Sequence, residues 1–185
     1  MEGDKVAITK DIHAIRKAMD RYDYETVIGS IPPIAGDSLF TPMRAQALRA
    51  MGRMSETLAE WNSLLPKDST HTKVVVELAD CYRQIGNVTK AMNCYKKAVE
   101  LEPLNKYFRL QYIRTLLNAE EYEMAKTACH EWLEMDTLSS TGYKYLGQAY
   151  EGLVEKDSNA LSLAFLRYNA AYRRDSLDAQ TVARI

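Results

Sequence analysis

Sliding the sequence along itself by 34 residues brings five apolar series into line, a period that restricts a chain to stacked helical units. Leu48, Tyr82, Leu116 and Tyr150 form one series. Leu78, Tyr112 and Leu146 form another, followed by Ala79, Ile113 and Gly147. Trp61, Tyr95 and Cys129, then Leu64, Ala98 and Trp132, complete the set, and Gly52 and Gly86 match at expected turns. Beyond Tyr150 the register slips by five residues. An insertion around Val154–Ser158 accounts for the slip and restores Ala164, Tyr168 and Ala171 to the pattern. Before Leu48 the slip is four residues the other way, so Tyr24, Val27 and Ile31 take the places of Met54, Thr57 and Trp61.

Within each unit the apolar positions recur at three and four residues, first as Leu78, Ala79 and Tyr82, then as Ala91, Tyr95 and Ala98. That spacing makes two helical stripes, and no run alternates as a strand does. Thr41-Pro42 reads as a cap with Pro at the first helical position. Gly86-Asn87 ends one helix and caps the next, and Pro103 ends another. Small residues, Ala79 with Ala91 and Gly147 with Ala164, are expected to face each other and let paired helices approach. Tyr82 and Tyr95 then fill the wider rim, and Leu146 and Tyr82 are expected in the core.

These motifs resemble the tetratricopeptide-repeat family, whose signature runs W-x2-L-G-x2-Y, A-x3-F and P. Tyr143, Leu146, Gly147 and Tyr150 match its first half, as do Leu78, Ala79 and Tyr82; Ala91, Tyr95, Ala98 and Pro103 match its second. The resemblance covers residues 1–185 as one domain, in repeats at roughly 8–37, 38–71, 72–105, 106–139 and 140–178. It implies an all-α fold, a right-handed α-α superhelix (solenoid) of four to five helical hairpins. Pro32-Pro33 should cut the second helix short, since an interior Pro costs about 3 kcal/mol. Ile113 and Cys129 depart from the family's small and aromatic residues.

In this family the first helices line a concave groove that binds a peptide. By that resemblance the groove carries Arg49, then Glu77, Asp80 and Arg83, then Tyr107, Gln111, Arg114 and Asn118, then Lys144, Tyr145 and Gln148. The set is polar, aromatic and of mixed sign, and it lacks the Lys/Asn, Asn and Lys/Arg arrangement by which some relatives grip the free carboxylate of chaperone tails. Tyr107 and Tyr145 fall on the groove side, where aromatic residues anchor partners.

Composition agrees with a packed, soluble chain: 46% hydrophobic and 26% charged, with 24 basic against 25 acidic residues. No dense basic run exists, so no nucleic-acid footprint is read. Arg44, Arg49 and Arg53 read as a solvated helix face. Cys81, Cys94 and Cys129 are odd in number and lack ligand spacing, which fits a reducing compartment, the cytoplasm. A periplasmic setting follows instead if a signal segment once preceded Met1. The opening residues show no apolar run, so neither a signal nor a membrane insertion is read there.

Chemistry-bearing clusters are not apparent. His130 and Glu134 stand one helical turn apart, half a metal site at most, and a solvated contact accounts for them. Ser139, Ser140 and Thr141 read as a helix cap, without a His to activate them. The acidic run Glu120, Glu121 and Glu123 complements a helix start. The expected function is therefore a non-catalytic scaffold without cofactors that binds a protein or peptide. The alternative is a spacer or oligomerisation segment of a larger enzyme, transport or envelope assembly. Ser176–Ala179, Val182 and Ile185 resemble the opening of another unit too short to cover Leu161, Phe165 and Leu166. Homo-oligomerisation through this C-terminal end, or continuation of the stack, is the expectation.

Overall fold

The computed structural model describes residues 12–34, 37–65 and 72–174, and those residues contain helices and turns but no strand. Helix α1 is described over 12–20. It is followed by α2 (Tyr24–Ser30), α3 (Phe40–Ala50), α4 (Met54–Leu64), α5 (Thr72–Gln84) and α6 (Val88–Leu101). Then come α7 (Lys106–Asn118), α8 (Tyr122–Met135), α9 (Ser140–Gly152) and α10 (Ala160–Arg174). The expected opening of a further unit lies outside the described residues.

The chain divides into two compact units, Met1–Cys94 and Tyr95–Ile185. In the first, α3 is covered on two sides. Ala47 and Leu48 pack with Ile15 and Ala18 of α1 and with Val27, Ile28 and Ile31. Ala45 packs with Trp61 and Leu64 of α4 and Val74, Leu78 and Cys81 of α5. In the second unit α7 packs on α8, α8 on α9 and α9 on α10, with α7 also reaching α9. Its buried positions include Ile113, Leu116, Ala125, Cys129, Trp132, Leu146, Ala164, Tyr168 and Ala171. Burial pushes the Cys129 thiol up to about 12, which makes it a small apolar core residue.

Four hairpin turns are built alike. Tyr22, Gly52, Gly86 and Glu120 all have φ between 60° and 76°. Beside each, the next amide closes back across the helix end: Asp23 N to Ala18 O, Arg53 N to Leu48 O, Asn87 N to Tyr82 O and Glu121 N to Leu116 O, at 2.8–2.9 Å. This is the Schellman closure, whose left-handed residue is ordinarily glycine. Gly86 and Asn87 act as expected, with Asn87 Oδ1 accepting from Lys90 N at 3.2 Å. Ser139 likewise caps α9 through Gly142 N, and Pro32-Pro33 follow the end of a seven-residue α2. Glu120 is more than an acidic companion to a helix start: it takes the glycine's place in the turn.

The added length after Tyr150 appears as the turn 153–159, against three residues in each of 21–23, 51–53, 85–87 and 119–121. The hairpin stays closed. Tyr168 is buried, and its hydroxyl donates to Glu151 Oε2 at 2.6 Å. A Cβ on Gly147 would lie 2.7 Å from the Tyr168 ring, so what Gly147 admits is this ring rather than the Ala164 methyl alone.

Three expectations need correction. Thr41 is not the cap of α3: the helix begins at Phe40, and Asp37 Oδ1 accepts from Leu39 N at 2.7 Å and Phe40 N at 3.0 Å. A carboxylate four residues earlier caps better than the hydroxyl, and Thr41, fully buried, accepts from Asp37 N instead. Tyr82 is only half-buried, packed against the α3–α5 cluster from its edge. Arg44 is not part of a solvated strip; it is buried, and its guanidinium meets Glu60 Oε1 at 2.8 Å. It also donates to the carbonyls of Ile28 and, at 2.8 Å, Ile31, buried acceptors at the end of the shortened α2.

Candidate functional site

The residues that the groove expectation selects fall on α3 and α5 in the first unit and on α7 and α9 in the second. In the first unit they satisfy one another. Arg49 Nη1 donates to Glu77 Oε2 at 3.1 Å, and its Nε donates to Gln84 Oε1 at 3.1 Å. Arg83 Nη2 lies 3.2 Å from Asp80 Oδ1. Arg49, Glu77 and Asp80 are half-buried and Arg83 is exposed, and surface pairs of this kind contribute about 0–1 kcal/mol. Burial raises the Cys81 thiol, opposed by the Arg49 charge, which keeps that thiol an unreactive neighbour of this face.

In the second unit, Arg114 and Asn118 are exposed, and Gln111, Tyr145 and Gln148 are half-buried. Lys144 is also half-buried and sets its ammonium 5.5 Å from the centre of the Tyr145 ring, so one face of that ring already carries a cation. Tyr107 is 52% exposed, edge-on to Phe108 with ring centres 5.9 Å apart. Asn105 fixes the start of this helix, accepting from Tyr107 N at 3.1 Å.

Tyr107 borders a cavity of about 480 Å³ between the start of α7, the end of α8 and the start of α9. Leu110, Trp132 and Leu138 supply its apolar wall, and Lys106 and Asp136, paired at 2.6 Å, close one side. That contact holds the Asp136 carboxyl below its ordinary range. The Trp132 indole N–H is buried without a hydrogen-bond partner in the structure. Sequence reasoning missed Leu110, Trp132 and Leu138 as a lining. A signal was present: Leu104 and Leu138 stand 34 residues apart, each just past a second helix, and are 84% and 75% exposed.

Arg109 was also missed. It is buried, donates to Pro103 O at 3.0 Å and reaches Glu131 at 3.6 Å; burial lowers its pKa against the pull of Glu131. His130 is held below its ordinary range by burial and by Arg167 and Lys126. Among the described residues, no group of three His, Cys, Asp or Glu side chains converges as a metal would require. Among them too, no helix is long and apolar enough to cross a membrane.

A family model described as the tetratricopeptide repeat matches residues 72–103, the α5–α6 hairpin. Residues 72–103 therefore read as one tetratricopeptide repeat. Solved structures agree in fold. The chain is similar in fold to the crystal structure of MamA protein, at 14% identity over 93% of each chain, with a TM-score of 0.73. It is similar also to YrrB, described as a TPR protein with an unusual peptide-binding site, at 13% identity over 96% of this chain and 86% of that one, with a TM-score of 0.68. The first TPR of Spaghetti (RPAP3), solved with the HSP90 peptide SRMEEVD, matches 63% of this chain and 88% of its own at 18% identity and a TM-score of 0.53. No curated protein sequence matches the chain. TPR folds of this kind generally mediate protein–protein or peptide binding.

Proposed function

We propose that this chain is a non-catalytic scaffold that holds an extended segment of another polypeptide in a groove along α7 and α9. The observation that carries this reading is the cavity at Tyr107, where a half-exposed aromatic ring borders an apolar recess of peptide side-chain size. Arg114, Asn118, Gln111 and Gln148 then supply polar contacts along the same two helices, and Tyr145 a second ring. Affinity comes from the aromatic anchors, and specificity from the charges around them. On the first unit, Arg49, Glu77, Asp80 and Arg83 form a neutral, paired face of the same kind, less ready to add affinity because its charges are already matched.

The test is a display library of linear peptides panned on the full chain, with the selected peptides measured against variants. Tyr107→Ala and Arg114→Glu should each weaken binding about tenfold or more, the loss of an interface anchor. Helicity and melting should stay as in the parent chain. Binders indifferent to both changes, and to Tyr145→Ala, place the peptide elsewhere on the protein.

A further inference from the structure

Helix α10 buries one side and leaves another apolar side in water. Ala160, Ala164, Tyr168 and Ala171 face α9, at spacings of four, four and three. Along the flank beside them, Leu161, Phe165 and Tyr172 recur at four and seven residues and are 63%, 48% and 39% exposed, while Leu166, 57% exposed, stands about 100° further round the helix. Scattered exposed apolar residues need no explanation, but three in line along one flank of a helix form a stripe of the sort that marks an interaction surface.

The charges at the two ends of this stripe are opposite. The turn before α10 carries Glu155 and Asp157 against Lys156, and the last turn of α10 carries Arg173 and Arg174. We propose that the occupant of this stripe is a second copy of the chain, its α10 laid antiparallel on the first about a two-fold axis. In that arrangement Leu161 of one copy meets Tyr172 of the other, and the two Phe165 rings come together near the axis. Arg173 of each copy then lies toward Glu155 of the other, and the two helix dipoles run in opposing directions. An isologous contact needs one self-complementary patch, which is what a stripe with unlike charged ends provides. The net charge of −1 raises no long-range barrier between copies. The peptide face on α7 and α9 is separate from this stripe, so the pairing stands or falls without it.

Sedimentation equilibrium on the full chain, from low to high micromolar, is the test. A monomer–dimer equilibrium is expected, with the dissociation constant raised about tenfold or more by Phe165→Glu. Arg173→Glu should weaken pairing, and adding Glu155→Arg to it should restore it, which a generic hydrophobic association does not do. Circular dichroism should show each variant as helical as the parent. A monomer at every concentration overturns the proposal, as does a dimer unmoved by Phe165→Glu. So does a full chain that stays monomeric while a chain ending at Arg174 associates, since the occupant is then the chain's own C-terminal segment.

Discussion

Arg44 and Glu60 carry opposite charges into a part of the first unit that water does not reach, with side-chain exposures of 8% and 3%. Desolvating the pair is costly, and what makes it tolerable is the number of hydrogen bonds it completes. Arg44 serves Glu60 and two carbonyls, while Glu60 also accepts from Ile34 N at 3.0 Å. Removing one partner leaves the other charge buried and unmatched. Arg44→Ala should therefore cost about 3–5 kcal/mol in urea denaturation, whereas replacing both by Met and Leu should recover most of that loss. A loss below about 1 kcal/mol for Arg44→Ala would mean that water reaches Glu60. No reading of position 44 alone finds this. Its partner stands 16 residues away, and a lone arginine on a helix is ordinarily solvated.

The hairpin turns show how much of the fold was written in residue spacing. Gly52 and Gly86 announce their turns, since only glycine adopts φ near 75° without strain. Tyr22 and Glu120 adopt a similar backbone with φ of 60°, and no composition rule points to them; only the register does. Sequence reasoning reads neither as a turn and gives Glu120 only a place in an acidic helix start, while the cap of α3 went wrong because Asp37 lies upstream of the residue that reads as a cap. The groove residues on α7 and α9 come from the family resemblance rather than the register, and the recess at Tyr107 goes unread, because its wall comes from three helices. The turns make paired predictions of opposite sign. Gly86→Ala should destabilise by about 1 kcal/mol, and Glu120→Gly should stabilise by up to about 1 kcal/mol, the left-handed penalty less the added freedom of the unfolded chain. Thermal or urea midpoints check both, and equal signs would show that these turns are not equivalent.

Within each unit, the described helices that pack together are one or two apart in the chain. Stability is then a sum of hairpins and their immediate interfaces rather than the property of one core. Leu146 is fully buried on α9, and Leu146→Ala should cost about 2–5 kcal/mol locally. Amide hydrogen exchange should show the loss in α8, α9 and α10, with protection in α3 and α4 nearly unchanged; a uniform loss would instead reveal a single cooperative unit. The same short-range packing decides how the chain answers a mechanical load. Pulled from its two ends, it offers within each unit, among the described residues, no extensive packing between helices more than two apart whose rupture would free everything at once. It should yield in small successive extensions, each reversible on release, more like a spring than a latch.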